Sequence, residues 1–395
     1  MTQNRAAVSI GSARHDAQRG GGAVVLGNTR SLAGRCALFC VVYIGAILYL
    51  SLYPWEIISP PHTARLFWVS DYSRRIMLDF VLNILLYVPL GAAAVVGLGR
   101  RMVSLPVAAA AGFAISFGVE LTQRYIPLRA ATFDDLAANT VGAALGAVLA
   151  LTWKKRFTDA SLLTILWLVW NGFLLLPMIN RSPWPAAGLD ADFLWMGSVN
   201  AFLGFLALSL ALKPPAIMAV ILALAPLVGL WIYPALLLSR LSATFGALAL
   251  AHHGKPSIQR WLPSACLIWL AFQELYPFDF GGPPHPFSWI PFESLFVNKP
   301  HTYYPLVFGK LFFYTTIIWA VRVRARGLHW AFSLAGTVLL AGEFAQCFLP
   351  GRNPEMTDLV LMAAGALLLW LAEPAGGSCA DGQAPAGFSH EVGRA

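Results

Sequence analysis

Apolar residues run along this chain in blocks of about 18–22, the length that crosses a bilayer core of roughly 30 Å at 1.5 Å per residue. Twelve such blocks lie near 35–53, 77–98, 104–123, 134–153, 161–180, 193–212, 214–232, 234–252, 258–276, 305–321, 328–347 and 357–372. Together they predict an all-α polytopic membrane protein with about twelve transmembrane helices. The pair spanning 214–252 carries the most interruptions, at Pro226, Pro234 and Arg240. Gly and Pro recur inside the blocks, which membrane helices tolerate because neighbouring helices satisfy the freed backbone groups. No alternating pattern of about ten residues recurs, so a β-barrel is not expected.

Composition agrees with this pattern. The chain has 395 residues, 58% hydrophobic and 12% charged, against about 25% charged in a soluble domain. Its formal charge of +8 does not point to nucleic acid, because the basic residues sit at block ends, where they act as topology signals. Arg5, Arg14, Arg19, Arg30 and Arg35 precede the first block. With twelve alternating helices, Arg100, Arg101, Lys154, Lys155, Arg156, Lys213, Lys255, Arg260, Arg322, Arg324, Arg326 and Arg394 fall on that same side. The positive-inside rule then places both termini of a multi-pass membrane protein in the cytoplasm. Residues 1–33 read as a disordered basic tail and 373–395 as a second tail. No cleavage site follows a short apolar region, so the first block is expected to remain as an anchor. Cys36, Cys40, Cys266, Cys347 and Cys379 have no metal-type spacing, and Cys36 and Cys40 read as small core residues.

The polar positions repeat. Leu-Tyr-Pro-Trp-Glu at 52–56 returns as Leu-Tyr-Pro-Phe-Asp at 275–279, 223 residues later. The same offset pairs Glu120 with Glu343, Gln123 with Gln346, Pro127 with Pro350 and Arg129 with Arg352. It also pairs Asp135 with Asp358, Leu136 with Leu359 and Gly142 with Gly365. Most of these are polar, Pro or Gly, so shared hydrophobicity does not explain them. The expected layout is two parallel four-helix repeats with a four-helix middle section. Its parts are unit 1 (34–156), middle helices (157–257) and a divergent unit 2 (258–372). Parallel repeats are one of two kinds found in transporters.

In unit 1, Glu120 and Gln123 share a face at the end of the third helix. Asp134 and Asp135 open the fourth, where an acidic side chain caps free N–H groups. Asn139 follows Asp135 by one turn, and the second helix adds Asp79 and Asn83 at the same spacing. Counted from the predicted ends, Asn83 and Asn139 both lie roughly 8 Å below the outer surface, with Glu120 at similar depth. Ionisable residues in a membrane segment cost about 2.5–3.5 kcal/mol each and by default mark a functional site. The competing structural reading is a cluster that only fixes the turn between the third and fourth helices. Gly142 and Gly146 form a small-xxx-small pattern for close helix packing.

Unit 2 keeps Glu343, Gln346, Arg352 and Asp358 but has Leu306 and Met362 where unit 1 has Asn83 and Asn139. It adds Lys310, one turn from Leu306. A buried pair between Lys310 and Glu343 is expected, which would make unit 2 structural and unit 1 active. The loops 54–76 and 277–304 are rich in Pro and aromatics. The second, with Trp289, Phe292, Phe296, Tyr303 and Tyr304, is expected in the membrane interface, with a lid over the polar layer as the alternative. His62, His285 and His301 lack metal-ligand spacing, and no metal or cofactor motif is present: no phosphate loop, nucleophile elbow or zinc helix.

The run from Asp79 through Asn83 to Pro89 and Gly91 resembles the VanZ-like family of bacterial membrane proteins. Glu120, Gln123, Arg129, Asp135, Asn139, Gly142 and Gly146 extend the resemblance. Trp289 to Ser294, Glu343, Gln346, Arg352 and Asp358 look like a divergent second copy. The resemblance implies a bacterial inner-membrane protein of the cell envelope, in a family named from a protein linked to low-level teicoplanin resistance. The resemblance implies no substrate; the outer-leaflet layer of acids and amides suits binding or modifying a lipid-linked glycan or phospholipid headgroup, and that is the expected activity. Glu120 and Asp135 would be the acid/base groups, Asp79, Asn83, Gln123 and Asn139 would bind substrate, and Arg129 would clamp a phosphate. Expected partners are membrane lipids and lipid-linked cell-wall or polysaccharide precursors. The alternatives are a transporter with parallel repeats and a non-catalytic membrane assembly protein.

Overall fold

A computed structural model of the chain describes residues 32–59, 61, 66, 68, 74–127, 129–153, 157–175, 191–211, 234–297, 300–324 and 327–373. The two expected tails fall almost wholly outside these residues, as do the expected helix 214–232 and the Lys154–Arg156 cluster. Among the described residues the protein is helical, with one isolated bridge between Ser288 and Glu355. It forms two compact units, 32–153 and 157–373.

The first unit holds α1 (Leu32–Ser51), α2 (Arg74–Gly97), α3 (Ser104–Gln123) and α4 (Phe133–Thr152). All four contain apolar spans long enough to cross a membrane. Small residues decide how α2 and α4 meet. A Cβ on Gly142 would lie 2.2 Å from the Ile84 carbonyl oxygen, one on Gly146 2.0 Å from that of Val88, and one on Gly91 1.9 Å from that of Ala143. The two backbones are therefore in contact, as the Gly142-xxx-Gly146 pattern predicts. Helix α1 packs against this pair through Ile47, Cys40, Tyr43 and Ile44, and Tyr43 Oη donates to the Leu86 carbonyl at 2.9 Å. Cys36 is buried and Cys40 half-buried, both as free thiols.

The second unit holds α5 (Asp159–Leu175), α6 (Ala191–Ala211), α7 (Pro234–Leu275), α8 (Glu293–Val297), α9 (Pro300–Arg322), α10 (Leu328–Gln346) and α11 (Thr357–Ala372). One apolar core joins α5, α6 and α7 to α9, α10 and α11, so the middle helices share a core with those that follow. Helix α10 is also long and apolar enough to cross a membrane, while Asp159–Trp170, Trp195–Ala211 and Thr357–Ala372 are shorter apolar stretches. Arg322 ties the ends of α5 and α11 together, bonding Asp159 and, at 3.2 Å, Glu373.

Helix α7 corrects an expectation. Two separate spans are expected at 234–252 and 258–276, yet Pro234–Leu275 runs as one helix of 42 residues, through Gly254 and Pro256. An interior proline costs about 3 kcal/mol. Against that stands a single buried stripe across the supposed break: Ala247, Ala251, Ile258, Leu262, Cys266 and Leu270. At 1.5 Å per residue α7 is about 63 Å long, twice a bilayer core.

Candidate functional site

The polar residues of the first unit gather where α3 turns into α4. The cap of α4 is Thr132, whose Oγ1 accepts the Asp135 N–H at 3.1 Å. This replaces the expected acidic cap: Asp134 and Asp135 lie inside the first turn instead. The Thr132 N–H donates to Glu120 Oε2 at 2.7 Å, so a carboxylate from α3 meets the N-terminus of α4. Asn83 Nδ2 on α2 donates to Asp135 Oδ1 at 2.6 Å. One turn further along α4, Asn139 Nδ2 donates to Ser116 Oγ at 2.9 Å. Tyr87 is buried beside Ser116 and Glu120, with its ring against Gly112. Two atoms in this group are buried without a hydrogen-bond partner, Tyr87 Oη and Asn139 Oδ1.

Gln123 and Arg129 face another way. Gln123 Nε2 donates to the Ser51 carbonyl at 2.9 Å. Arg129 donates from Nε to the Tyr53 carbonyl at 2.9 Å and from Nη2 to the Leu50 carbonyl at 3.2 Å. Both residues satisfy carbonyls at the C-terminal end of α1, which would otherwise lack partners. Arg129 thus holds α1 to the α3–α4 turn, and two of the donors expected to clamp a phosphate are engaged there. Asp79 is exposed on α2, one turn from Asn83.

The same hydrogen bonds occur in the second unit at residue numbers 223 higher. Arg352 donates from Nε to the Tyr276 carbonyl at 3.0 Å and from Nη2 to that of Gln273. The Glu355 N–H donates to Glu343 Oε2 at 3.0 Å. Gln346 Nε2 reaches the carboxylate of Glu274, the counterpart of Ser51. The ion pair is not the expected one: Lys310 Nζ bonds both oxygens of Asp358, each at 2.7 Å, and not Glu343. Glu343 instead accepts the Glu355 N–H ahead of α11, as Glu120 accepts that of Thr132 ahead of α4. Glu274, Glu343 and Asp358 are all buried, with carboxylate oxygens within 4.8 Å of one another. Loop 277–292 is strapped over this end. Ser288 N–H donates to the Pro354 carbonyl and Met356 N–H to that of Ser288, while Phe292 N–H donates to Thr357 Oγ1.

The sequence model of the VanZ/LLP1 family matches residues 36–154. That stretch is VanZ-like. No curated protein and no solved structure matches the chain. The VanZ-like stretch runs from α1 to the end of α4, so it contains the whole polar layer of the first unit and none of the second. Of its expected site residues, Asn83, Glu120, Asp135 and Asn139 converge there, Gln123 and Arg129 bind backbone, and Asp79 is exposed. Sequence reasoning missed Tyr87, Ser116, Thr132 and, in the second unit, Glu274. The signal for Tyr87 and Ser116 is helical spacing: each stands one turn from a residue already singled out, Asn83 and Glu120 respectively. Glu274 has its own signal, a carboxylate at the end of an apolar block.

Proposed function

We propose that this VanZ-like membrane protein belongs to the bacterial cell envelope and binds or modifies the headgroup of a phospholipid or lipid-linked glycan at the outer leaflet. The observation that supports this best is the pair of buried atoms without a hydrogen-bond partner, Tyr87 Oη and Asn139 Oδ1, in residues that both adjoin Ser116. An unmade buried hydrogen bond costs about 1–3 kcal/mol, a cost a protein carries where a ligand offsets it. The positive-inside rule favours the outer face for this layer, because Arg65, Arg74, Arg75, Arg124 and Arg129 at its end of unit 1 are outnumbered in the sequence by Arg5, Arg14, Arg19, Arg30, Arg35, Arg100, Arg101, Lys154, Lys155 and Arg156 at the opposite end. Counted from the ends of α3 and α4, Ser116 and Asn139 lie about 9–11 Å deep, within reach of a headgroup and short of the midplane site usual in transporters.

The 223-residue correspondence supports two repeats of one unit, the second divergent. Under this reading Glu120 is the acid/base candidate, Asn83 orients Asp135, and Arg129 positions the turn rather than the phosphate. A non-catalytic assembly role is the second reading, favoured by the Gln123 and Arg129 bonds to backbone. Glu120→Gln, Asn83→Ala and Arg129→Ala, compared at equal protein level, separate the two. The site reading expects altered teicoplanin sensitivity and lipid-linked precursor pools for Glu120→Gln and Asn83→Ala. Wild-type behaviour of both, where deletion has a phenotype, favours assembly.

A further inference from the structure

Resting on the headgroup reading, we infer that the unit 1 layer takes a primary ammonium group of its ligand, where the second unit carries an ammonium of its own. Lys310 stands 223 residues after Tyr87, so the two occupy matching positions on α9 and α2. In the second unit the Lys310 ammonium lies on Asp358, the counterpart of Asp135, at 2.7 Å. The first unit has Tyr87 at that position, and there the unpartnered atoms appear: Tyr87 Oη, in a residue 1% exposed, and Asn139 Oδ1, in one 5% exposed.

The hydrogen-bond inventory selects the ligand. Asn139 gives one of its two N–H donors to Ser116, and its amide oxygen is an acceptor. Tyr87 Oη offers lone pairs beside its own O–H donor, and Glu120 is a carboxyl group with Oε2 held by the Thr132 N–H. An ammonium has three donors, which suit the three oxygens here: Asn139 Oδ1, Tyr87 Oη and the second Glu120 oxygen. A phosphate would meet carboxylates, with the Arg129 Nε and Nη2 donors turned to carbonyls.

The test uses the purified full chain in nanodiscs of ethanolamine, choline or glycerol phospholipid, with thermal unfolding as the readout. Choline carries the charge without N–H donors. Greater stability in ethanolamine discs than in the other two is expected. Titration with a short-chain ethanolamine phospholipid should give binding about tenfold weaker in Asn139→Met, the residue the second unit has there. Tyr87→Lys should remove the preference for ethanolamine discs by supplying the ammonium internally. Tyr87→Phe, the mildest change, should weaken binding should either of these fail to fold. Free ethanolamine reproducing the effect in choline discs would support the ammonium and assign it to a soluble amine. Equal stability in ethanolamine and glycerol discs, lost in Glu120→Gln, would overturn the ammonium and leave the headgroup reading standing. No difference among lipids, amine or variants would overturn both.

Discussion

Lys310 shows how one side chain changes the chemistry of a shared frame. Asp358 is buried, and its partner is Lys310. Removing the lysine leaves Asp358, Glu274 and Glu343 together without the ammonium. Lys310→Met should therefore lower stability by about 3 kcal/mol, the low end for breaking a buried pair, because Lys310 itself is only half-buried. Lys310→Met with Asp358→Asn should recover part of the loss, read by thermal unfolding in detergent. A double variant no more stable than the single one would show that Asp358 is not the partner that matters. Arg129 makes a second case. Arg129→Lys should cost nearly as much as Arg129→Ala, about 1.5–3 kcal/mol for a lost charge-assisted bond, because the planar fork that meets the Tyr53 and Leu50 carbonyls together has no equivalent in an ammonium. Full rescue by lysine would contradict that bidentate role.

Helix contacts separate the two units in a way that the paired glycines Gly142 and Gly365 do not reveal by themselves. A Cβ on Gly142 would meet backbone, the Ile84 carbonyl at 2.2 Å, which can yield only if α2 and α4 move apart. On Gly365 the nearest atom is the Thr315 hydroxyl at 2.5 Å, a side chain that can rotate. Gly142→Ala should therefore cost about 3 kcal/mol or more and Gly365→Ala about 1 kcal/mol, spanning the usual range for overpacking. Denaturation of the two variants side by side checks the order, and a Gly365→Ala loss equal to that of Gly142→Ala would refute it. Much of this was legible in the sequence. A polar or ionisable residue inside an apolar block is costly enough to carry information, so Glu120, Asn83, Asp135 and Asn139 could be gathered by counting turns. Partner choice was not legible, because a lysine stem spans more than a turn and reaches Asp358 as readily as Glu343. Nor was the continuity of α7. Gly254 and Pro256 signal a local break, while the buried stripe from Ala247 to Leu270 that overrides them depends on helices far away in the chain.

The continuity of α7 bears on how the whole chain threads the membrane. With two spans between 234 and 276, alternation brings Leu275 to the same side as its counterpart Leu52. With α7 crossing once, the same sidedness requires the chain to leave α6 and enter α7 on one side. The positive-inside rule predicts that outcome: Arg322 and Arg324 follow α9 in the sequence as Arg100 and Arg101 follow α2, and the rule expects both pairs inside. The α3–α4 turn and the α10–α11 turn should then both face outward. The test starts from a background lacking Cys36, Cys40, Cys266, Cys347 and Cys379. A membrane-impermeant maleimide applied to intact cells should label Tyr125→Cys and Phe348→Cys, at exposed positions 223 apart, and spare Met102→Cys, exposed at the opposite end of unit 1. Labelling of Tyr125→Cys without Phe348→Cys would mean that the units are inverted. The second frame would then open to the cytoplasm, and only the VanZ-like layer could meet an outer-leaflet headgroup. Labelling of both would put Lys310 and the ammonium-binding layer in the same leaflet, where the internal and the external cation belong to one design.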